Sequence, residues 1–328
     1  MRKKHFLFAS VLALLCGSSA LHAQDFKLTS SGYFKNQGVD VMAFDDIYPE
    51  GHQGGVCIIM NGHRVATNGD IRLEATPGQW QPVPKQLDRK LGDNSITATL
   101  CYPDSSRHLT GFNPMIYPDL HLIYTVNVES KGKNIEVTVD LDRPIPQEFI
   151  GKVGFNLEFF PGSLFGKPWI MDGQSGIFPQ QPNSPLMTTQ PNYLHTGNYH
   201  DGKKSLADMD KLIGKGYSPI VADDIISEPY AKGTKFTSRP DDPYNKVTIE
   251  SLSGDLQLFD GRMNHNNGWF VLRSNIKPGV TKGAVKWIIT PNVVADWMYQ
   301  PVIQTSQIGY HPTQDKDCLL YTSDAADE

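Results

Sequence analysis

Apolar and polar residues alternate one by one along much of the chain. Ile135, Val137, Val139 and Leu141 interleave with Glu136, Thr138 and Asp140, and Leu120, Leu122, Tyr124, Val126 and Val128 repeat the pattern upstream. A period of two puts every second side chain on one face. Both runs therefore predict half-buried strands, and Lys131-Gly132-Lys133 between them predicts a hairpin. Asn61-Gly62, between Ile58-Ile59-Met60 and Val65-Ala66, is a second hairpin signal, because this dipeptide tolerates positive φ at both central turn positions. Further strands are predicted over Val153 to Phe160, Lys246 to Glu250, Leu256 to Phe259, Trp269 to Arg273 and Val285 to Thr290, each bounded by Gly, Pro, Asn or Asp. One helix is predicted. Ser205 caps it, Leu206, Met209, Leu212 and Ile213 share a face, and Gly214 and Gly216 end it. The proline-rich stretch from Pro161 to Tyr199 carries few strand signals and predicts a long functional or packing loop.

The expected fold class is all-β: a large antiparallel two-sheet β-sandwich of supersandwich-like size. Two ordinary sandwiches in tandem are the alternative. No Ser/Thr/Pro linker divides the chain, which favours one domain over 24–300. Pro291-Asn292 is expected to break the last strand, Val293 to Gln300 to form a connection, and a new strand to begin at Pro301-Val302.

The amino terminus changes the compartment. Arg2, Lys3 and Lys4 precede an apolar run from Phe6 to Leu15, and Leu21-His22-Ala23 offers a cleavage site. Residues 1–23 are expected to be a secretory signal peptide, which places the protein outside the cell, in the periplasm or at the cell surface. Cys16 after Leu14-Leu15 leaves lipidation as the alternative. No other segment is long and apolar enough to cross a membrane, so no transmembrane anchor is expected. The formal net charge of −5 over 328 residues gives no support for a nucleic-acid partner. Of the four cysteines, Cys57 and Cys101 lie inside apolar strand-like runs. Buried free thiols are the expected state, and a disulfide is the alternative in an oxidising compartment.

No nucleophile, zinc, phosphate-loop or dinucleotide motif is present, and no catalytic residue is assigned. Three polar clusters stand out. Arg262-Met263-Asn264-His265-Asn266-Asn267-Gly268-Trp269 offers amides that donate and accept, beside an indole face that suits a pyranose ring. The plainer reading, which the turn-forming Asn and Gly favour, is a hairpin turn with Trp269 in the core. Arg239-Pro240-Asp241-Asp242-Pro243-Tyr244-Asn245 is a turn with a local Arg–Asp pair, or a loop whose carboxylates hold a structural calcium. No other metal and no cofactor is expected. Phe44-Asp45-Asp46-Ile47-Tyr48-Pro49-Glu50-Gly51-His52-Gln53-Gly54-Gly55 reads as a ligand-facing loop or an ordinary connection. Trp287 alternates with Val285 and Ile289 and is expected in the core. Trp80 and Trp169, in proline-rich segments, are the better candidates for exposure. The candidate carbohydrate-binding set is thus Asn264, His265, Asn266, Asn267, Trp269, Trp80 and Trp169.

Gln307-Ile308-Gly309-Tyr310-His311-Pro312, followed by Lys316, is similar to the strand that opens the immunoglobulin-like module preceding the barrel of family 9 glycoside hydrolases. Pro49-Glu50-Gly51-His52-Gln53-Gly54-Gly55, Phe165-Gly166-Lys167-Pro168-Trp169-Ile170 and Asp260-Gly261-Arg262-Met263-Asn264-His265-Asn266-Asn267-Gly268-Trp269 resemble parts of the large amino-terminal extension that some secreted members carry. The resemblance implies a cellulase-type parent that hydrolyses β-1,4-glucans on a downstream (α/α)6 barrel, with its acid and base beyond this sequence. Residues 301–317 are then the first strand of the immunoglobulin-like domain. Residues 318–328, Cys318 to Glu328, resemble the in-frame translation of a transposon-type sequencing adapter and are set aside as non-native. The implied partners are the downstream immunoglobulin-like and catalytic domains of the same chain and a β-glucan polysaccharide. The expected role is a non-catalytic accessory module in polysaccharide degradation. Two alternatives stand beside it: a sandwich that is itself an epimerase- or lyase-like enzyme, and a ligand-free spacer.

Overall fold

The computed structural model describes residues 25–45, 54–74, 76–77, 84–102, 120–181, 187–189, 225–263, 268–299, 302–304, 311, 313 and 319–321. The strands run in chain order as β1 (Lys27–Leu28), β2 (Phe34–Asn36), β3 (Val39–Ala43), β4 (Val56–Met60), β5 (His63–Leu73), β6 (Lys85–Leu91) and β7 (Ser95–Cys101). Next come β8 (Ile123–Lys131), β9 (Asn134–Leu141), β10 (Val153–Phe159), β11 (Pro168–Met171), β12 (Gln174–Ile177), β13 (Met187–Thr189) and β14 (Ile225–Ser227). The remainder are β15 (Ala231–Gly233), β16 (Lys235–Ser238), β17 (Val247–Ser251), β18 (Leu256–Asp260), β19 (Phe270–Asn275), β20 (Val285–Pro291), β21 (Val302–Gln304) and β22 (Leu319–Tyr321).

Two nine-stranded sheets account for most of these. The first has the order β1-β2-β3-β4-β5-β10-β19-β18-β15, and the second β12-β11-β16-β17-β20-β9-β8-β7-β6. Neighbouring strands are antiparallel in both. The protein is an all-β, two-sheet sandwich. Separate two-stranded sheets pair β13 with β14 and β21 with β22.

The alternation read from sequence is the alternation of burial. Val126 faces Val139 and Val128 faces Val137 across β8 and β9, all buried, while Thr125, Asn127, Glu136 and Thr138 are partly exposed between them. Gly132 opens their two-residue turn at φ 62°, the position where such a hairpin needs a residue without Cβ. Asn61 and Gly62 both take positive φ, 53° and 81°, and join β4 to β5 with Met60 facing His63. The strand expected from Leu120 starts instead at Ile123, since His121 takes a left-handed φ of 47° that interrupts the pleat. Pro291 ends β20 rather than breaking it before its end, and faces Val247 in the ladder. The helix expected over 205–213 lies outside the described residues.

Side chains from both sheets fill one continuous core. Trp287 is buried there, as its alternation predicts. Phe155 meets it edge-on at 4.9 Å, and its Nε1 donates to Ser274 Oγ at 3.0 Å. Cys57 on the first sheet and Cys101 on the second are both free thiols.

One close approach in the first sheet admits no side chain. Gly55 sits at φ 60°, and a Cβ there would lie 2.6 Å from the Gly69 carbonyl oxygen. Gly55→Ala combines a left-handed strain of about 1–2 kcal/mol with that collision, and is expected to lower the urea midpoint accordingly. An unchanged midpoint would show that the two strands part without loss.

Candidate functional site

The central strands of the first sheet carry polar side chains where a sandwich usually places solvent-facing ones. On β10, Phe155, Leu157 and Phe159 belong to the core, and Asn156 and Glu158 alternate with them; all five are buried. Asp70 and Arg72 on β5, Glu74 just beyond it and Arg273 on β19 are also buried. The result is a sealed ionic cluster.

Arg273 organises it. Its Nη1 donates to Glu74 Oε1 at 3.1 Å and Asn156 Oδ1 at 3.2 Å, and its Nη2 to the carbonyls of Glu74 and Lys152 at 3.0 and 2.9 Å. Its Nε donates to Asn275 Oδ1 at 2.7 Å. Gly154 leaves the room required, since a Cβ there would approach the guanidinium to 2.7 Å. Asn156 Nδ2 donates to the same Glu74 oxygen at 2.6 Å, and Asn68 Nδ2 donates to Glu158 Oε2 at 2.6 Å. Tyr124, from the second sheet, donates its hydroxyl to Asp70 Oδ1 at 3.0 Å. Among the described residues, Glu74 Oε2 and Arg72 Nε are buried without a hydrogen-bond partner.

Burial sets the protonation states. Desolvation pushes Asp70 up to about 6, against the attraction of Arg72 and the hydrogen bonds of Ile71 N–H and Tyr124. Desolvation also pushes Glu74 up to about 7, against the pull of Arg273 and with repulsion from Glu158 adding to the rise. Carboxyls tuned to this range suit proton transfer at neutral pH. Here they are held inside a closed network, with both side chains of the Glu74–Arg273 pair only 1% exposed.

The expected site residues fall elsewhere. Asn264, His265, Asn266, Asn267 and Trp80 lie outside the described residues. The base of the 264–267 segment is held firmly. Asp260 and Arg262 form a two-point ion pair, with Arg262 Nε to Oδ1 at 2.8 Å and Nη2 to Oδ2 at 2.9 Å. The same guanidinium donates to the carbonyls of Pro179 and Gln180 and lies 4.5 Å from the centre of the Phe270 ring. Trp269 is partly buried, with Phe160 edge-on at 4.3 Å. Trp169 corrects an expectation. It is only 6% exposed, because β11 turns it towards the core while Ile170 on the same strand is exposed.

The other two clusters settle differently. Asp242 accepts from Asn245 Nδ2 at 3.1 Å, from Tyr244 N–H at 2.9 Å and from Arg239 Nη2. Burial raises its pKa, but these donors outweigh burial and hold it below the usual carboxylate range. This is the turn with a local ion pair. No group of three or more His, Cys, Asp or Glu gathers at metal-binding distance among the described residues. Of the 44–55 loop, the described ends are pinned by Phe44 N–H to the Gly55 carbonyl at 2.9 Å and by Asn68 N–H to the Gly54 carbonyl at 2.7 Å.

One groove has both aromatic faces and varied polar groups. It encloses about 500 Å³ at the β1–β3 edge of the first sheet, beneath the 293–299 connection. Lys27 pairs with Lys35, Lys35 with Asp40 and Asp40 with Ile59, so one cross-strand row forms the floor. Trp297 and Tyr299 stand over it, 5.5 Å apart and edge to face. Sequence reading passed over them as parts of a connection. The signal available was two aromatics at i and i+2 after the last core strand, together with two turn glycines able to seat them.

No family model and no curated protein matches the chain. Among solved structures, a galactose mutarotase-like protein of Lactobacillus casei is 11% identical, with 78% of this chain and 97% of that chain covered at a TM-score of 0.36. A galactose mutarotase related enzyme of Lactobacillus acidophilus is 9% identical, covering 79% and 96% at 0.34. A Synechocystis protein is 11% identical, covering 82% and 96% at 0.34. A likeness of this extent says nothing about a shared site. No helix among the described residues is long and apolar enough to cross a membrane.

Proposed function

We propose that this sandwich is a non-catalytic accessory module of a secreted family 9 glycoside hydrolase that degrades β-1,4-glucans. The observation that carries this reading is the state of Asp70 and Glu74. Among the described residues they are the two carboxyls raised towards neutrality, and both are buried and bonded to structural partners. Glycoside hydrolysis needs two carboxyl groups flanking a bound glycosidic bond, one as acid and one as base or nucleophile. The motif around Gln307-Ile308-Gly309-Tyr310 adds the parent family by resemblance. In this reading the catalytic barrel follows an immunoglobulin-like domain, the chain is exported, and any structural calcium belongs to a loop rather than to the reaction.

The purified chain is expected to release no reducing sugar from carboxymethyl-cellulose or xyloglucan. Turnover that persists through purification and disappears in Glu74→Gln would overturn the accessory reading in favour of a catalytic sandwich.

A further inference from the structure

We infer that the groove under the 293–299 connection is a binding site for a neutral oligosaccharide, large enough to seat a short run of hexopyranose units. The inference rests on the accessory-module reading for the choice of cellohexaose as a probe, but the site itself rests on geometry.

The aromatic wall is built rather than incidental. Gly38, at φ 65° in the β2–β3 turn, lies directly under the Trp297 ring, where a Cβ would come within 2.7 Å of the indole. Gly62, at φ 81° in the β4–β5 turn, lies under Tyr299, with the ring at 3.2 Å from a Cβ position. Two backbone turns that need positive φ for their own geometry thus also provide flat seats for two rings. Gln37 Nε2 donates to the Trp297 carbonyl, and Trp297 N–H donates to the Val294 carbonyl at 3.1 Å, which fixes the main chain above the groove. Tyr299 is 39% exposed, so ring surface is available.

The chemistry of the lining selects the ligand. Lys27 and Lys35 are matched by Asp25 and Asp40, so the groove has no net charge to attract an anion or a cation. It offers donors and acceptors in close alternation, which suits a ligand carrying many hydroxyls, each both donor and acceptor. The aromatic faces suit the C–H face of a pyranose ring, and an amphipathic ring with a polar edge is the natural wall of such a cleft. A volume of about 500 Å³ lies within the usual range for small-ligand sites.

The test is a titration of the purified chain with cellohexaose and with mannohexaose, read by tryptophan fluorescence and by calorimetry. Saturable binding of at least one hexasaccharide is expected. Trp297→Ala and Tyr299→Ala are each expected to weaken it by about tenfold or more. Tyr299→Ala removes an exposed ring and keeps the test valid if Trp297→Ala unfolds. Lys282→Ala, in the β19–β20 connection beside Asp140 and not among the groove's lining residues, is expected to bind normally. Absence of binding to both sugars, or binding that survives both aromatic substitutions, overturns the site. Either result leaves the hydrolysis experiment to decide the accessory reading separately.

Discussion

Replacing Arg273 with methionine is expected to destabilise the sandwich by about 3–5 kcal/mol at pH 7.5, the usual loss when one partner of a buried pair is removed. The guanidinium makes five hydrogen bonds to Glu74, Asn156, Asn275 and two main-chain carbonyls, and methionine replaces none of them. Most of the loss comes from what stays behind. Glu74 keeps its burial, Asn156 loses the donor to its Oδ1, and two carbonyls lose theirs. The urea midpoint at constant slope measures it. Adding Glu74→Gln to Arg273→Met is expected to recover part of the loss, because the stranded charge is gone while Asn156 can still donate to the amide oxygen. A loss under about 1 kcal/mol, or a double variant that is no better than the single, would show that water reaches the cluster.

This cluster also marks where sequence reading ran out. The alternation Asp70-Ile71-Arg72-Leu73-Glu74 is as regular as that of Ile135 to Leu141, and by pattern alone its polar half belongs to solvent. On β9 that is nearly true. On β5 and β10 it fails, because every residue of β10 is buried, polar and apolar alike. A period of two reports which residues share a face, and it carries no information about what covers that face. The hairpins at Asn61-Gly62 and Gly132 were legible because turn chemistry is local. The groove was not, because its floor joins four strands and its wall comes from residues about 260 positions later. Trp169 shows the converse error. A proline-rich neighbourhood predicts irregular chain, but Pro168 begins β11, and the pleat then decides that Trp169 points inward.

Stability is expected to fall as pH rises from about 5 to 8, the reverse of the acid-labile behaviour typical of paired carboxylates. Asp70 and Glu74 have ordinary values of 3.8 and 4.5 and sit in the fold at about 6 and about 7. Between those limits the native protein holds protons that the unfolded chain releases. The free energy of unfolding therefore decreases with pH in this window. The stabilising contribution is complete below the unfolded values and is lost as pH passes through 6 and then 7, on the order of 3 kcal/mol for each carboxyl at full shift. The opposite trend takes over in stronger acid. Asp172 is held below its ordinary value by the Thr234 backbone N–H, and Asp140 and Asp242 lie low as well because their hydrogen bonds outweigh burial. These three lose stabilisation as pH falls through their depressed values, so the maximum belongs at about pH 4, where the two trends balance. Urea midpoints across pH 4 to 8 give the profile. Asp70→Asn and Glu74→Gln should each flatten the descending limb, and a wild-type profile that climbs from pH 5 to 8 would contradict the sealed state of both acids. The Arg273→Met loss is tied to the same protons. It should be largest at pH 8, where Glu74 is charged, and shrink towards pH 5, where a protonated Glu74 no longer needs its cation.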